Sequence, residues 1–175
     1  MLEPSRLHVF TARSNPLHWS STHRNWLQFA RAMLDAGVTL TVIECAYGEE
    51  AHHCAMDGVR HIAVGAKTRV WNKENLLNIG VHRTPEAQYI AWIDADVLFR
   101  RPDWPMATLL ALQHYDVIQP WSDAYDLART TSISHIIARS AGNIFTVSRC
   151  LPTPGRTRKA TAGHTSTRTP ATPGP

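Results

Sequence analysis

The sequence has few cysteines and no long apolar run. Its three cysteines, Cys45, Cys54 and Cys150, lie far apart and form no C-x-x-C pair. This excludes a disulfide-rich scaffold and provides no zinc-ribbon or redox motif. No stretch approaches the ~18 consecutive apolar residues of a transmembrane helix, and the first residues lack the basic and apolar regions of a secretory signal. These absences predict a cytoplasmic protein without a transmembrane segment.

Acidic residues are absent from the C-terminal part of the chain. All 14 lie at or before Asp126, together with 11 of the 18 Lys and Arg residues, so residues 1–126 carry a net charge of −3. Residues 127–175 hold seven basic residues and no acidic one. Such a segment offers only weak, salt-dependent attraction to nucleic acid or anionic surfaces. Nucleic acid is therefore not the expected partner.

The composition predicts three regions. Residues 1–126 have the balanced content of a folded domain, and residues 127–151 are predicted to be a poorly defined extension. Residues 152–175 consist largely of Thr, Pro, Gly, Arg and Ala, a composition that cannot repay the entropy of ordering and predicts disorder. The abrupt change after about residue 126 is also typical of a truncated or out-of-frame gene, a hypothesis that sequencing of the surrounding DNA tests.

Apolar periodicity and turn residues predict alternating strands and helices within residues 1–126. Ser20, Ser21 and Thr22 are the expected N-caps of the first helix, and Gly37 ends it. The predicted strands are residues 7–11, 38–45, 60–64, a strand in 89–99 and 116–121, and the predicted helices follow residues 20–22, 72–75 and 102–105. This order predicts an α/β layered domain with a mostly parallel sheet.

Two aspartates interrupt the apolar run of residues 89–99. Residues i and i+2 of a strand point to the same face, so Asp94 and Asp96 are expected to converge on one cation or polar ligand. If the strand ends near Asp94, both lie at the carboxyl edge of the sheet, where open α/β sheets bind ligands. Two hard oxygen donors favour Mg²⁺ or Mn²⁺. The alternative is an exposed pair, or a pair bound to Arg100 or Arg101.

The run Lys73 to Gly80 (K-E-N-L-L-N-I-G), followed by Tyr89 to Asp96 (Y-I-A-W-I-D-A-D), resembles the nucleotide-sugar half of GT-A-type glycosyltransferases, particularly family 2-like ones. In that family a K-x-x-x-L-N-x-G helix precedes the D-x-D strand. The resemblance implies a GT-A-like (Rossmann-like) three-layer domain with an incomplete C-terminal half. It also implies an enzyme that transfers a sugar from a nucleotide-diphosphate donor to an unknown acceptor, with Mn²⁺ or Mg²⁺ as cofactor.

The same resemblance assigns roles to individual positions. It implies that Asp96 coordinates the metal and that Asp94 contacts the ribose or sugar and assists the metal. Nucleotide-sugar binding is implied for Lys73 and Asn78 on the preceding helix, for Thr11 and Arg13 in a turn after strand one, and for Glu44 at the end of strand two. A carboxylate at a strand end suits a ribose hydroxyl, although a solvated strand terminus explains Glu44 equally well.

Other chemistries remain as alternatives. The catalytic residues are unknown, because the sequence has no acidic residue after Asp126 that could act as the catalytic base. The run Asp94 to Leu98 resembles the D-x-D-x-T/V motif of haloacid-dehalogenase-like phosphatases, in which the first Asp is the nucleophile. Leu98 departs from that motif at its final position. A non-catalytic nucleotide-sugar-binding fragment is a further alternative. Ligand spacing disfavours a zinc site in the group His52, His53, Cys54 and His61, since the usual i, i+3 or i, i+4 pairs are absent.

Overall fold

A computed structural model describes residues 1–70, 72–127, 136–139 and 146–149. Within these ranges a short 3-10 turn, Pro4–Arg6, precedes the first strand. The strands are β1 (Leu7–Arg13), β2 (Thr39–Tyr47), β3 (Val59–Ala66), β4 (Tyr89–Trp92), β5 (Val117–Ile118), β6 (Ala124–Leu127), β7 (Ile136–Arg139) and β8 (Thr146–Arg149). The helices are α1 (Ser20–Asp35), α2 (Lys73–His82) and α3 (Trp104–Ala111). The predicted alternation of strands and helices is confirmed.

The main sheet has the order β3-β2-β1-β4-β8-β5. The first four strands in this order are all parallel, whereas β8 runs antiparallel to both β4 and β5. Strands β6 and β7 form a separate antiparallel pair. The domain is therefore α/β, and its parallel core is compatible with a Rossmann-like fold. Sequence patterning predicted none of β6, β7 and β8, because this part of the sequence shows no capped, periodic element.

Two apolar clusters cover the two faces of the sheet. On one face, α1 contributes Trp26, Phe29 and Met33, and α3 contributes Trp104 and Leu109. On the other face, α2 packs Leu76 and Leu77 against the sheet. Alternate residues of β1 supply the two faces, since Leu7 and Val9 lie in the first cluster and Phe10 in the second. These contacts produce the predicted three layers.

Helix α1 begins with a different cap from the one predicted, but it ends where the sequence predicted. Its N-cap is Trp19, without a side-chain cap, so the prediction of caps at residues 20–22 is wrong. Asn15 secures this end instead, because its side chain accepts a hydrogen bond from the Trp19 backbone N–H and donates one to the Trp19 carbonyl. At the other end, Gly37 has φ of 75°, and the N–H groups of Gly37 and Val38 bond back to Leu34 and Met33. This Schellman ending confirms the stop predicted at Gly37.

Four of the strands have other ends than the sequence predicted, and one of them is β3, which continues to Ala66. Strand β1 continues to Arg13, so Thr11 to Arg13 are strand residues and not a turn. Strand β2 continues to Tyr47, which places Glu44 inside the strand. The fifth strand comprises only Val117–Ile118. Within the described ranges, no helix has both the length and the apolar content to cross a membrane.

Gly80 allows α2 to lie close to the sheet. A Cβ atom at this position would lie 2.6 Å from Ile43 Cδ1, 2.9 Å from Ile43 Cγ1 and 3.0 Å from Phe10 Cδ1. Both neighbours are fully buried, so neither can move aside freely. Gly80, the glycine of the K-x-x-x-L-N-x-G run, therefore has a packing role.

We expect Gly80→Ala to destabilise the domain. Overpacking costs about 1–3 kcal/mol, which exceeds the gain of about 1 kcal/mol in helix propensity. Urea unfolding measures the change, with Gly65→Ala as the control, because nothing lies within 4 Å of a Cβ atom at Gly65. Equal or higher stability of Gly80→Ala would contradict the packing role.

We expect His8 to make the domain less stable in acid. His8 is buried in β1, its Nε2 lies 2.7 Å from Thr41 Oγ1, and burial lowers the pKa of His8 from 6.5 to about 4. The unfolded chain therefore binds a proton that the folded chain excludes, and stability falls as the pH decreases from 6.5 towards 4, by about 2–3 kcal/mol. Unfolding free energies across this range should lose that dependence in His8→Gln and keep it in His114→Gln, which changes an exposed histidine.

Candidate functional site

The two aspartates lie just beyond β4, at the carboxyl edge of the parallel strands. Strand β4 ends at Trp92, and the Ile93 N–H makes one more bond to the Phe10 carbonyl of β1. The chain then turns, with the Val97 N–H donating to the Asp94 carbonyl at 3.3 Å. The predicted edge position is confirmed. The i, i+2 strand argument is wrong, because Asp94 and Asp96 follow the strand and lie in a turn.

This turn faces a cleft of about 320 Å³, which we call the aspartate cleft. Its walls come from the end of β1, the first turns of α1, the start of α2 and the turn after β4. The lining residues are Ala12, Arg13, Ser14, Thr22, Asn25, Lys73, Asp94, Ala95 and Asp96. Four of the residues singled out from the sequence, Arg13, Lys73, Asp94 and Asp96, therefore meet in one place. Thr22 and Asn25 carried no signal in the sequence, since polar residues on a helix are ordinary.

Lys73 reaches Asp94 from the start of α2. The Asn72 side chain accepts a hydrogen bond from the Asn75 N–H and so caps the helix, which makes Lys73 the first helical residue. Its Nζ donates to Asp94 Oδ1, and the two side chains are 28% and 35% exposed. The alternative partner Arg101 pairs with Asp103. Asp94 is therefore partly neutralised by an ammonium group within the cleft.

Asp96 is exposed at the mouth of the cleft. The surrounding protein nevertheless removes part of the water around the Asp96 carboxyl group, which raises its pKa, and the neighbouring negative charge of Asp94 raises this pKa further. Within the described part of the chain, Asp96 forms no ion pair. Neither aspartate is fully buried. Both carboxylates line one cleft, and among the described residues only Asp94 has a cationic partner.

Arg13 is a buried cation in the wall of the same cleft. It is only 5% exposed, its Nη1 donates to Cys54 Sγ at 3.3 Å, and its guanidinium lies 5.7 Å from the centroid of the Trp26 ring. Burial raises the pKa of the Cys54 thiol, so the sulfur brings no negative charge. Glu44, its register neighbour on β2, forms its ion pair with His61 instead. No carboxylate of the described residues pairs with Arg13, and a buried charge without a partner is costly.

A second cavity of about 230 Å³ adjoins the aspartate cleft, and Arg13 lines both. We call it the histidine cavity, because His18, His23 and His53 line it together with Trp19 and Glu50. The His18 and His53 rings are 6.3 Å apart, edge to face. Arg13 thus forms a shared wall between two neighbouring openings.

Glu44 has partners inside the protein. The His53 N–H lies 2.9 and 3.0 Å from its two carboxylate oxygens, and the Cys54 N–H and His61 Nε2 each lie 2.9 Å from Oε2. Burial by itself raises the pKa of Glu44, but the hydrogen bonds from the His53 and Cys54 backbone outweigh it, so this pKa lies below its usual value. The solvated strand end considered for Glu44 is wrong, because the residue is 6% exposed. Its carboxylate holds residues 53–54 against β2.

Thr11 and Asn78 line neither opening. Thr11 is fully buried within β1 and its hydroxyl has no hydrogen-bond partner within the described structure. Asn78 is exposed on α2, five residues beyond Lys73. The structure therefore separates these two predicted nucleotide-sugar contacts from the four residues that share the aspartate cleft.

The donor set of the cleft fits a magnesium or manganese ion bound jointly with a ligand. Among the described residues, no group of three or more His, Cys, Asp and Glu side chains is placed to hold a metal by itself. Mg²⁺ is usually bound by one or two carboxylates together with substrate phosphates. Asp94 and Asp96 could supply the protein oxygens, provided that a ligand supplies the rest.

We expect Glu44→Gln to loosen residues 53–54. The Gln NH₂ group would face backbone N–H donors, and an unsatisfied buried group costs about 1–3 kcal/mol. Amide hydrogen exchange should accelerate at His53 and Cys54. Glu49→Gln changes an exposed glutamate and should leave both rates unchanged; equal rates in the two variants would contradict the role given to Glu44.

No protein-family model matches this chain, and no curated protein matches it either. The function proposed below therefore depends on the geometry of the aspartate cleft and on the sequence motifs.

Proposed function

We propose that this domain binds a nucleoside-diphosphate sugar together with Mn²⁺ or Mg²⁺ in the aspartate cleft, as the donor half of a glycosyltransferase. The observation that carries the proposal is the pairing of opposite charges in one cleft. Asp94 and Asp96 face the same opening as Arg13, a buried guanidinium that pairs with no carboxylate in the described part of the chain. A cation with a diphosphate would satisfy both kinds of group at once.

Each group of the cleft has a defined part in this proposal. Guanidinium and ammonium groups bind phosphate oxygens through charge-assisted hydrogen bonds, which suits Arg13 and Lys73. Asp96, which forms no ion pair with any residue that the structure describes, would hold the cation and Asp94 would assist it. Glu44, Thr11 and Asn78 are not part of the proposed contact set. Glu44 lines the histidine cavity and is bound to the backbone of residues 53–54, Thr11 is buried in β1, and Asn78 is exposed on α2.

The sequence motif supports the same function. Two positions of the K-x-x-x-L-N-x-G run have a clear place in the structure, since Lys73 reaches the cleft and Gly80 brings the helix onto the sheet. The D-x-D pair follows the strand next to β1, at the edge where α/β sheets bind ligands. Motif and geometry therefore indicate the same ligand.

The chemistry follows from charge. When bound, the cation would neutralise the negative charge that develops on the departing diphosphate. Arg13, which is held in the wall by Cys54 and Trp26, would orient the phosphates with little reorganisation. An acceptor oxygen also needs a base, and none of the described residues is assigned that role.

The test is calorimetric titration of the full chain with UDP- and GDP-sugars, with and without Mn²⁺. We expect binding that requires Mn²⁺, and a loss of affinity of at least about tenfold in Asp96→Asn. Asp116→Asn removes an exposed carboxylate outside the cleft and should bind normally.

Two results would count against this function. Binding that is independent of the metal, or absent for both donors, would remove the basis for a diphosphate site. Hydrolysis of a simple phosphate ester, abolished by Asp94→Asn, would instead favour a phosphatase in which Asp94 is the nucleophile.

A further inference from the structure

Lys73 occupies a position that is unfavourable for a cation. The first turn of a helix carries partial positive charge and favours acidic side chains, and α2 indeed has Glu74 in its first turn. Lys73 nevertheless begins the helix and directs its ammonium group to Asp94. A residue that breaks a local rule in this way is expected at a functional site.

The same ammonium group opposes a divalent cation. It holds Asp94 Oδ1, one of the oxygens that a cation bound between Asp94 and Asp96 would need. Like charges within a few ångströms repel, and the repulsion is stronger in a partly enclosed cleft than in bulk water. With Lys73 in place, the protein without ligand should bind the cation weakly.

Lys73 is also able to move, in contrast to Arg13. A lysine ammonium is carried on a flexible four-carbon stem, and the Lys73 side chain is 28% exposed. Arg13 is 5% exposed and is held by Cys54 and Trp26. One of the two basic groups is therefore fixed in the wall, and the other can change its partner.

We propose that Lys73 makes the binding of cation and diphosphate mutually dependent. In the free protein its ammonium group holds Asp94 and disfavours the cation. A bound diphosphate offers the ammonium group phosphate oxygens instead, and Asp94 is then released to the cation. This inference rests on the function proposed above and adds to it an order of exchange between Lys73, Asp94 and the two ligands.

The exchange has a thermodynamic consequence that can be measured without turnover. If the diphosphate raises the affinity for the cation by some factor, the cation raises the affinity for the diphosphate by the same factor. Replacing Lys73 by a neutral side chain of similar length removes the competitor, so the cation should bind more tightly in the absence of diphosphate. The mutual dependence should decrease in the same variant.

The experiment titrates the full chain with Mn²⁺, followed by electron paramagnetic resonance, with and without saturating UDP. We expect UDP to raise the Mn²⁺ affinity of the wild-type chain at least about fivefold. In Lys73→Met, the affinity for Mn²⁺ alone should increase about tenfold, and UDP should raise that affinity by a smaller factor than in the wild type. Lys67→Met removes an exposed lysine and should behave as the wild type, and thermal unfolding of each variant checks folding.

The outcomes separate this inference from the proposed function. If UDP binds with Mn²⁺ but Lys73→Met binds Mn²⁺ alone no more tightly than the wild type, the role of Lys73 is overturned and the diphosphate site stands. The role of Lys73 is likewise overturned if UDP raises the Mn²⁺ affinity of Lys73→Met by the same factor as in the wild type. If UDP binds to neither chain at any Mn²⁺ concentration, the proposed function fails, and the coupling fails with it.

Discussion

The parallel pairing of β1 with β4 is the constraint on which the aspartate cleft depends. Parallel strands all end at the same edge of a sheet, so Arg13 at the end of β1 and Asp94 after β4 must come close to each other. The Ile93 N–H makes the last bond to β1, and the chain is then free to turn. That turn directs Asp94 and Asp96 into the opening that Arg13 already borders.

Packing on the other face of the sheet positions Lys73. Gly80 lies against Ile43 and Phe10 with no room for a methyl group, which fixes how closely α2 approaches the strands. The opposite end of the same helix then presents Lys73 to Asp94. A contact in the apolar core therefore decides where a charged group lies in the cleft.

Supporting contacts hold one basic group of the cleft in place. Glu44 binds the backbone of His53 and Cys54, and the Cys54 sulfur accepts a hydrogen bond from Arg13. This chain of contacts fixes the guanidinium, whereas Asp94 is the one ion-pair partner that Lys73 has among the described residues. A cleft with a fixed cation, a movable cation and two carboxylates suits a ligand that brings both negative charge and a metal ion.

The sequence by itself determined the order of strands and helices, the three layers, the stop at Gly37 and the Lys73 to Gly80 and Asp94 to Asp96 motifs, because periodicity and turn residues are local signals. Only the tertiary structure decided where β1, β2 and β4 end, and hence that Arg13 lines the cleft and that Glu44 binds the backbone of residues 53–54. It also decided that Asn78 lies outside the cleft. The insertion of β8 between β4 and β5 was equally hidden. The physical reason is that strand ends and side-chain partners depend on contacts between residues far apart in the chain, which no local pattern encodes.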